Sequence, residues 1–152
     1  MSRIVIVAGS RCGKSTLAAK LQRETGAQVY CGDPPDKAKE CRPETIYLPE
    51  GLDIAGDHGA AAWVARHWFA RPGPWICEGW STARALKRWI DTVRGFEHQQ
   101  DEWPCDRIIV ITDHHPEAEV SDAQRAQHRG VMTTWRKIEH YFEEITEFHS
   151  HE

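Results

Sequence analysis

The sequence predicts an α/β protein: a short, mostly parallel sheet of about four strands, layered between helices and closed by a long C-terminal helix. Three observations carry this expectation. Four short runs, Arg3–Ala8, Ala27–Cys31, Trp75–Cys77 and Arg107–Thr112, are apolar almost throughout, as strands buried on both faces are. Segments with apolar residues at three-to-four-residue spacing separate most of them. Glycine or proline marks many of the junctions. At 152 residues the chain suits one domain, spanning 1–152.

Each element follows from local chemistry. After the first strand and a glycine-containing turn, a helix is expected from about Lys14 to Thr25, with Leu17, Ala18 and Leu21 inward and Gly26 as its stop. Residues 34–56 hold Pro34, Pro35, Pro43 and Pro49, which reads as loop with at most one helical turn around Lys37–Cys41. Residues 57–70 read as a helix capped by Asp57 and broken by Arg71-Pro72-Gly73-Pro74. The third strand ends at Glu78-Gly79, and a helix capped by Ser81 runs to about Arg94 with Ala85, Leu86, Trp89, Ile90 and Val93 inward. Residues 95–104 form a surface loop before the fourth strand. Pro116–Gly130 is polar and partly helical, and Val131, Trp135, Ile138, Phe142, Ile145 and Phe148 then predict one long amphipathic helix.

Composition narrows the function classes. Apolar residues are 40% and charged residues 28%, which is globular rather than disordered. A net charge of −4 argues against coating nucleic acid by phosphate neutralisation alone, while leaving room for a local basic track such as Lys37, Lys39 and Arg42. No run approaches membrane-spanning length and no signal peptide opens the chain. Cys12, Cys31, Cys41, Cys77 and Cys105 are scattered without C-x-x-C spacing, so reduced thiols and a cytoplasmic setting are expected. Most of the seven tryptophans should pack in the core, with Trp80 and Trp103 the two placed where a ring could instead stack on a base.

The chemistry concentrates between the first strand and first helix. Gly13-Lys14-Ser15-Thr16 completes the second half of the G-x-x-x-x-G-K-[ST] pattern, in its required setting. There Gly9, Ser10, Arg11, Cys12, Gly13, Lys14, Ser15 and Thr16 would surround phosphate with backbone N–H groups and a helix N-terminus. Lys14 would reach the β- and γ-phosphates, and the Ser15 hydroxyl would bind Mg²⁺. Ala8 stands where the first glycine is usual. That position mainly turns the chain out of the strand, which alanine can do at negative φ, with Gly9 accommodating a positive-φ neighbour.

With this loop the chain resembles the small P-loop kinases of the nucleoside monophosphate kinase and shikimate kinase type, over about residues 3–130. The resemblance implies a three-layer α/β/α P-loop NTPase fold and phosphoryl transfer from ATP with Mg²⁺. It implies that Asp33, at the end of the second strand, orients or deprotonates the acceptor, and that Glu78 holds Mg²⁺ or meets the acceptor. Trp80 would line the acceptor pocket, and Arg84 would hold an acceptor phosphate. A lid at about 114–130 would bring Arg125 and Arg129 over the transferring group. Plainer roles exist for each: a turn at Asp33, a helix cap at Glu78, solvated helix faces for the arginines. His128 has no identifiable partner and reads as structural, and His114-His115 lack helical metal spacing.

The nucleotide-binding family usually adds a fifth strand after the lid and then a base-packing loop, neither of which is expected here. Compact phage kinases share the Gly130-Val131 and Trp135 pattern, and some act on hydroxymethylated pyrimidines in DNA. The acceptor is thus a small molecule or a nucleic acid. A nucleotide-binding regulatory or assembly protein without an acceptor is the alternative from another class; no N-K-x-D signature favours a GTP switch. The apolar C-terminal helix could pack on a second copy as a homodimer.

Overall fold

A computed structural model describes residues 2–33, 44–49, 51–52, 59–93 and 103–150. The Lys37, Lys39 and Arg42 track, the turn at 37–41, the Asp57 cap and most of the loop at 95–104 lie outside them. The chain forms β1 (Arg3–Val7), α1 (Lys14–Thr25), β2 (Gln28–Cys31), β3 (Thr45–Tyr47), α2 (Ala60–Trp63), β4 (Trp75–Glu78), α3 (Thr82–Val93), β5 (Arg107–Ile111), α4 (Asp122–Ile138) and β6 (Thr146–His149). One sheet contains the six strands in the order β3-β2-β4-β1-β5-β6, and every pairing is parallel.

Strand alternation builds the layers. Ile4 and Ile6 of β1, Ile76 of β4, and Ile109 and Ile111 of β5 meet Ala18 and Leu21 of α1 on one face. Val5, Val7, Trp75, Cys77, Ile108 and Val110 point the other way, into a larger core with α3 and α4. All seven tryptophans join this second core, either buried or packed against it. Trp103 packs at a tilt against Phe142, with ring centroids 5.6 Å apart, and Trp80 lies half-buried against the same cluster.

Connectivity places the functional end. From β1 the chain crosses one face through α1 to reach β2, while α3 on the opposite face carries it from β4 past β1 to β5. The strand order therefore reverses beside β1, and parallel sheets open a crevice beyond the carboxyl ends of such strands.

Three expectations about the elements change. Among the described residues the sheet has six strands rather than four: β3 was hidden in the proline-rich stretch, and β6 lies within the segment expected to be helical. The long C-terminal helix over 131–148 is instead the second half of α4, two 3₁₀ turns (Glu139–Tyr141 and Glu143–Ile145) and β6. Trp135, Ile138 and Phe142 do pack inward, but Phe148 is 67% exposed on the edge strand, so the apolar spacing outlasted the helix. Helix 57–70 shortens to α2, which runs on as a π-helical turn, Val64–Trp68.

The strand expected to be missing after the lid is thus present, paired to β5 from Ile108–Thr146 to Ile111–His149. Arg107 clasps Glu147 across this pair at 2.8 and 2.9 Å. Val131, Trp135, Ile138 and Phe142 of the face expected to meet a second copy are buried in the chain's own core, while Phe148 stays exposed.

Phe142 is the joint of this C-terminal arrangement, fully buried with the rings of Trp89, Trp103 and Trp135 around it. Phe142→Ala should lower unfolding stability by about 3–5 kcal/mol in denaturant titrations, as a cavity replaces the ring. A loss below about 1 kcal/mol would show that this segment does not dock as described.

Candidate functional site at the carboxyl ends of β1, β2 and β4

The β1–α1 loop has its own backbone signature. Arg11 (φ 62°) and Gly13 (φ 80°) are left-handed, with Cys12 at negative φ between them. Such alternation is the backbone pattern that can turn successive amide N–H groups toward one side. The positive-φ positions are 11 and 13, so Gly9 is not the neighbour of a left-handed residue. Arg11 pays the usual side-chain strain of this region and is tied down by its carbonyl, which accepts from His115 N–H at 2.8 Å. Gly13 then caps α1 without any side-chain hydrogen bond to the helix N-terminus.

Lys14, the first residue of α1, is only 8% exposed. Its ammonium sits 3.4 Å from the Gly9 carbonyl oxygen and 3.5 Å from Asp33 Oδ2. Asp33 Oδ1 accepts the Trp80 N–H at 2.8 Å. One carboxylate therefore joins Lys14, at the end of the β1–α1 loop, to the turn after β4.

The ends of β2 and β4 are locked together. Cys31 and Glu78 are register partners, Gly32 N–H donates to the Glu78 carbonyl at 2.7 Å, and the Ser81 hydroxyl donates to the Gly32 carbonyl at 2.7 Å. Ser81 thus spans the two strand ends rather than simply capping α3. Gly79 has φ 132°, and a Cβ there would come within 2.9 Å of Gly32 and Asp33 backbone. Thr82 fastens the same turn to β1 by donating to the Ile6 carbonyl at 2.8 Å.

The result is a compact donor set: ligand atoms of Cys31, Asp33 and Glu78 all lie within 4.8 Å of one another. Glu78 is completely buried. Burial, with the Glu78 and Asp33 charges adding, pushes the Cys31 thiol far above its ordinary pKa. A protonated thiol is a poor ligand for a hard cation, so Mg²⁺ chemistry here would use carboxylate and hydroxyl oxygens. Asp33 and Glu78 carry the first kind, and Ser15, the second residue of α1, carries the second.

Sequence reasoning missed how α4 meets the loop. Gly9 N–H donates to His128 Nδ1 at 3.1 Å, while His128 Nε2 lies 2.8 Å from the Thr112 carbonyl. The second contact needs a proton on Nε2, leaving Nδ1 as the acceptor. Ser10 N–H donates to Gln127 Oε1 at 2.8 Å, and its hydroxyl donates to the same oxygen. His128 is buried and partnered, which corrects its reading as a residue without one. His114 also joins the cluster, with Nδ1 3.0 Å from the Ser10 carbonyl. Burial pushes the neighbouring Cys12 thiol up to about 11, so it is protonated and inert near neutral pH.

The remaining expected residues sit around this centre. Arg11 and Thr16 are exposed, and Ser10, Gly13 and Ser15 half-buried. Arg84 is exposed on the first turn of α3. Arg125 and Arg129 are exposed on α4, in the same helix as Val131 and Trp135, so residues 122–130 of the expected lid are the docked half of one helix. Arg125 is close enough to His114 to help hold its pKa down.

No family model, no curated protein and no solved structure matches this chain. Among the described residues no helix is long and apolar enough to cross a membrane.

Two measurements check this geometry. A Cβ at Gly9 would fall 2.5 Å from His128 Cα, whereas one at Gly130 meets nothing. Gly9→Ala should therefore cost about 1–3 kcal/mol by overpacking, and Gly130→Ala in mid-helix should gain up to about 1 kcal/mol. Equal effects in thermal unfolding would contradict the close approach.

The His114 pKa lies below 6.5, chiefly from burial and then from His128. The unfolded chain binds more protons at this site, so stability falls as pH drops through 6.5 and below. His114→Gln should flatten the dependence of the melting temperature on pH between about 7 and 5; an unchanged slope would contradict the assignment.

Proposed function

We propose that the protein is an ATP- and Mg²⁺-dependent phosphotransferase acting on a nucleotide- or nucleoside-like acceptor. The observation that carries this reading is the buried Lys14 at the head of α1, following two left-handed loop residues and paired with Asp33 on the adjoining strand end. A solvated lysine on an ordinary turn would have neither the burial nor the partner. The pair holds the ammonium over the loop until a polyphosphate competes for it.

In this reading the acceptor oxygen attacks the γ-phosphorus while the bond to the β–γ bridging oxygen breaks, releasing ADP. The loop amides and Lys14 take up the charge of the donor phosphates. Ser15 and Glu78 would hold Mg²⁺, which would supply positive charge beside the donor phosphates. Asp33, released from Lys14, accepts the proton of an acceptor hydroxyl or orients it. Trp80, beside Asp33 through its backbone N–H, would flank the acceptor. Arg84 would bind an acceptor phosphate, and Arg125 and Arg129 would neutralise the transferring group.

The reading as a regulatory or assembly protein without an acceptor draws on the missing base-packing loop, which the presence of β6 does not bear on. The nature of the acceptor, a free nucleotide or a hydroxymethylated pyrimidine in DNA, is decided by where label from γ-³²P-ATP appears when both are offered. Free nucleotides are the expected product; label in DNA alone would move the acceptor there. Lys14→Ala should lower the transfer rate at least about 100-fold, and Asp33→Asn by about 100-fold or more. Full transfer by Lys14→Ala would overturn the proposal.

A further inference from the structure

We infer that His128, with Gln127 beside it, is a positioning residue for the phosphate loop. The inference rests on the loop being the phosphate site, and the test below separates the two. Adjacent residues on one turn of α4 accept the first two amides of the loop: Gly9 N–H on His128 Nδ1 and Ser10 N–H on Gln127 Oε1. The Thr112 carbonyl, just beyond β5, holds the other side of the imidazole and fixes which nitrogen accepts. His114 meets the Ser10 carbonyl from the same side. The direction in which the chain leaves β1 is thus set by α4 and the end of β5, before the left-handed residues Arg11 and Gly13 begin the nest.

The placement of the loop's glycines supports this independently. Position 8 is a buried alanine, while position 9 tolerates no side chain, because a Cβ would meet His128 Cα at 2.5 Å, its Cβ at 2.7 Å and its Nδ1 at 2.9 Å. Glycine stands where α4 comes closest to the loop. The helix so anchored also carries Arg125 and Arg129, which places loop geometry and arginine placement under one contact. A binding loop held in its bound shape loses less freedom on binding, and that is the effect His128 supplies.

Two substitutions divide the imidazole into its halves. His128→Asn puts an amide oxygen where Nδ1 stood and keeps the acceptor for Gly9, losing the Thr112 contact. His128→Gln keeps a donor toward Thr112 and loses the acceptor for Gly9. The probe is inorganic tripolyphosphate with Mg²⁺, which has no base or sugar, titrated calorimetrically into wild type and both variants. Amide hydrogen exchange at Gly9 is measured in parallel.

His128→Gln should weaken tripolyphosphate binding about tenfold, roughly the effect of one buried hydrogen bond. It should also speed exchange at Gly9. His128→Asn should stay within about threefold of wild type in binding and keep Gly9 protected, although both variants lose one contact and some thermal stability. Equal binding by both variants, with wild type binding normally, overturns the inference and leaves the phosphate site standing. Absence of tripolyphosphate and ATP binding by wild type overturns the phosphate site and the inference together. Should either His128 variant fail to fold, Gln127→Met removes the Ser10 acceptor at a half-buried position, and binding as tight as wild type would overturn the inference.

Discussion

The structure depends on how closely backbone segments approach one another at the carboxyl ends of the central strands. Helix α4 lies against the loop after β1 so tightly that residue 9 has no room for a Cβ, and the turn after β4 lies as tightly against the end of β2 at Gly79. Neither approach rests on hydrophobic burial alone. Each is fixed by hydrogen bonds that satisfy strand-end and loop groups: His128 and Gln127 at the first contact, Gly32 and Ser81 at the second. The two tryptophan-free and tryptophan-rich cores below then hold the sheet at which these contacts are aimed.

That tight frame explains how charge is accommodated in a nearly dry place. Lys14 and Glu78 are both buried, and Asp33 stands between the loop and the turn. An unpaired buried charge is strongly unfavourable, so the lysine's ion pair with Asp33 is part of what lets the loop exist without a ligand. The same pairing gives the site its chemistry under the proposed function. An anion that draws Lys14 away leaves Asp33 as a free carboxylate next to the acceptor space. Donor binding and activation of the acceptor would then be linked through one ammonium group.

Much of this was legible in the sequence, for identifiable reasons. Strands β1, β2, β4 and β5 are apolar on both faces and read directly, and the resemblance to small P-loop kinases pointed to Asp33, Glu78 and Trp80, which the fold brings together. The C-terminal third did not read correctly. Its apolar residues keep a helical spacing through Phe148, yet the helix stops at Ile138 and Phe148 lies exposed on an edge strand. Edge strands carry little burial signal, and the three-residue β3 carries less. His128 was illegible for a different reason: its partner Gly9 is 119 residues away, and no local pattern encodes such a contact. The one available hint was the glycine at position 9 rather than 8, whose meaning is steric and appears only once α4 is in place.

The central claim is that the loop from Arg11 to Thr16 receives phosphate. The most direct measurement is the ¹H–¹⁵N spectrum of the protein titrated with Mg·ATP. The account predicts that the largest saturable shifts fall on the amides of Arg11, Cys12, Gly13, Lys14, Ser15 and Thr16, with smaller ones at Asp33 and Trp80 as Lys14 leaves its partner. Saturable shifts centred elsewhere, or none at all at millimolar nucleotide, would contradict it.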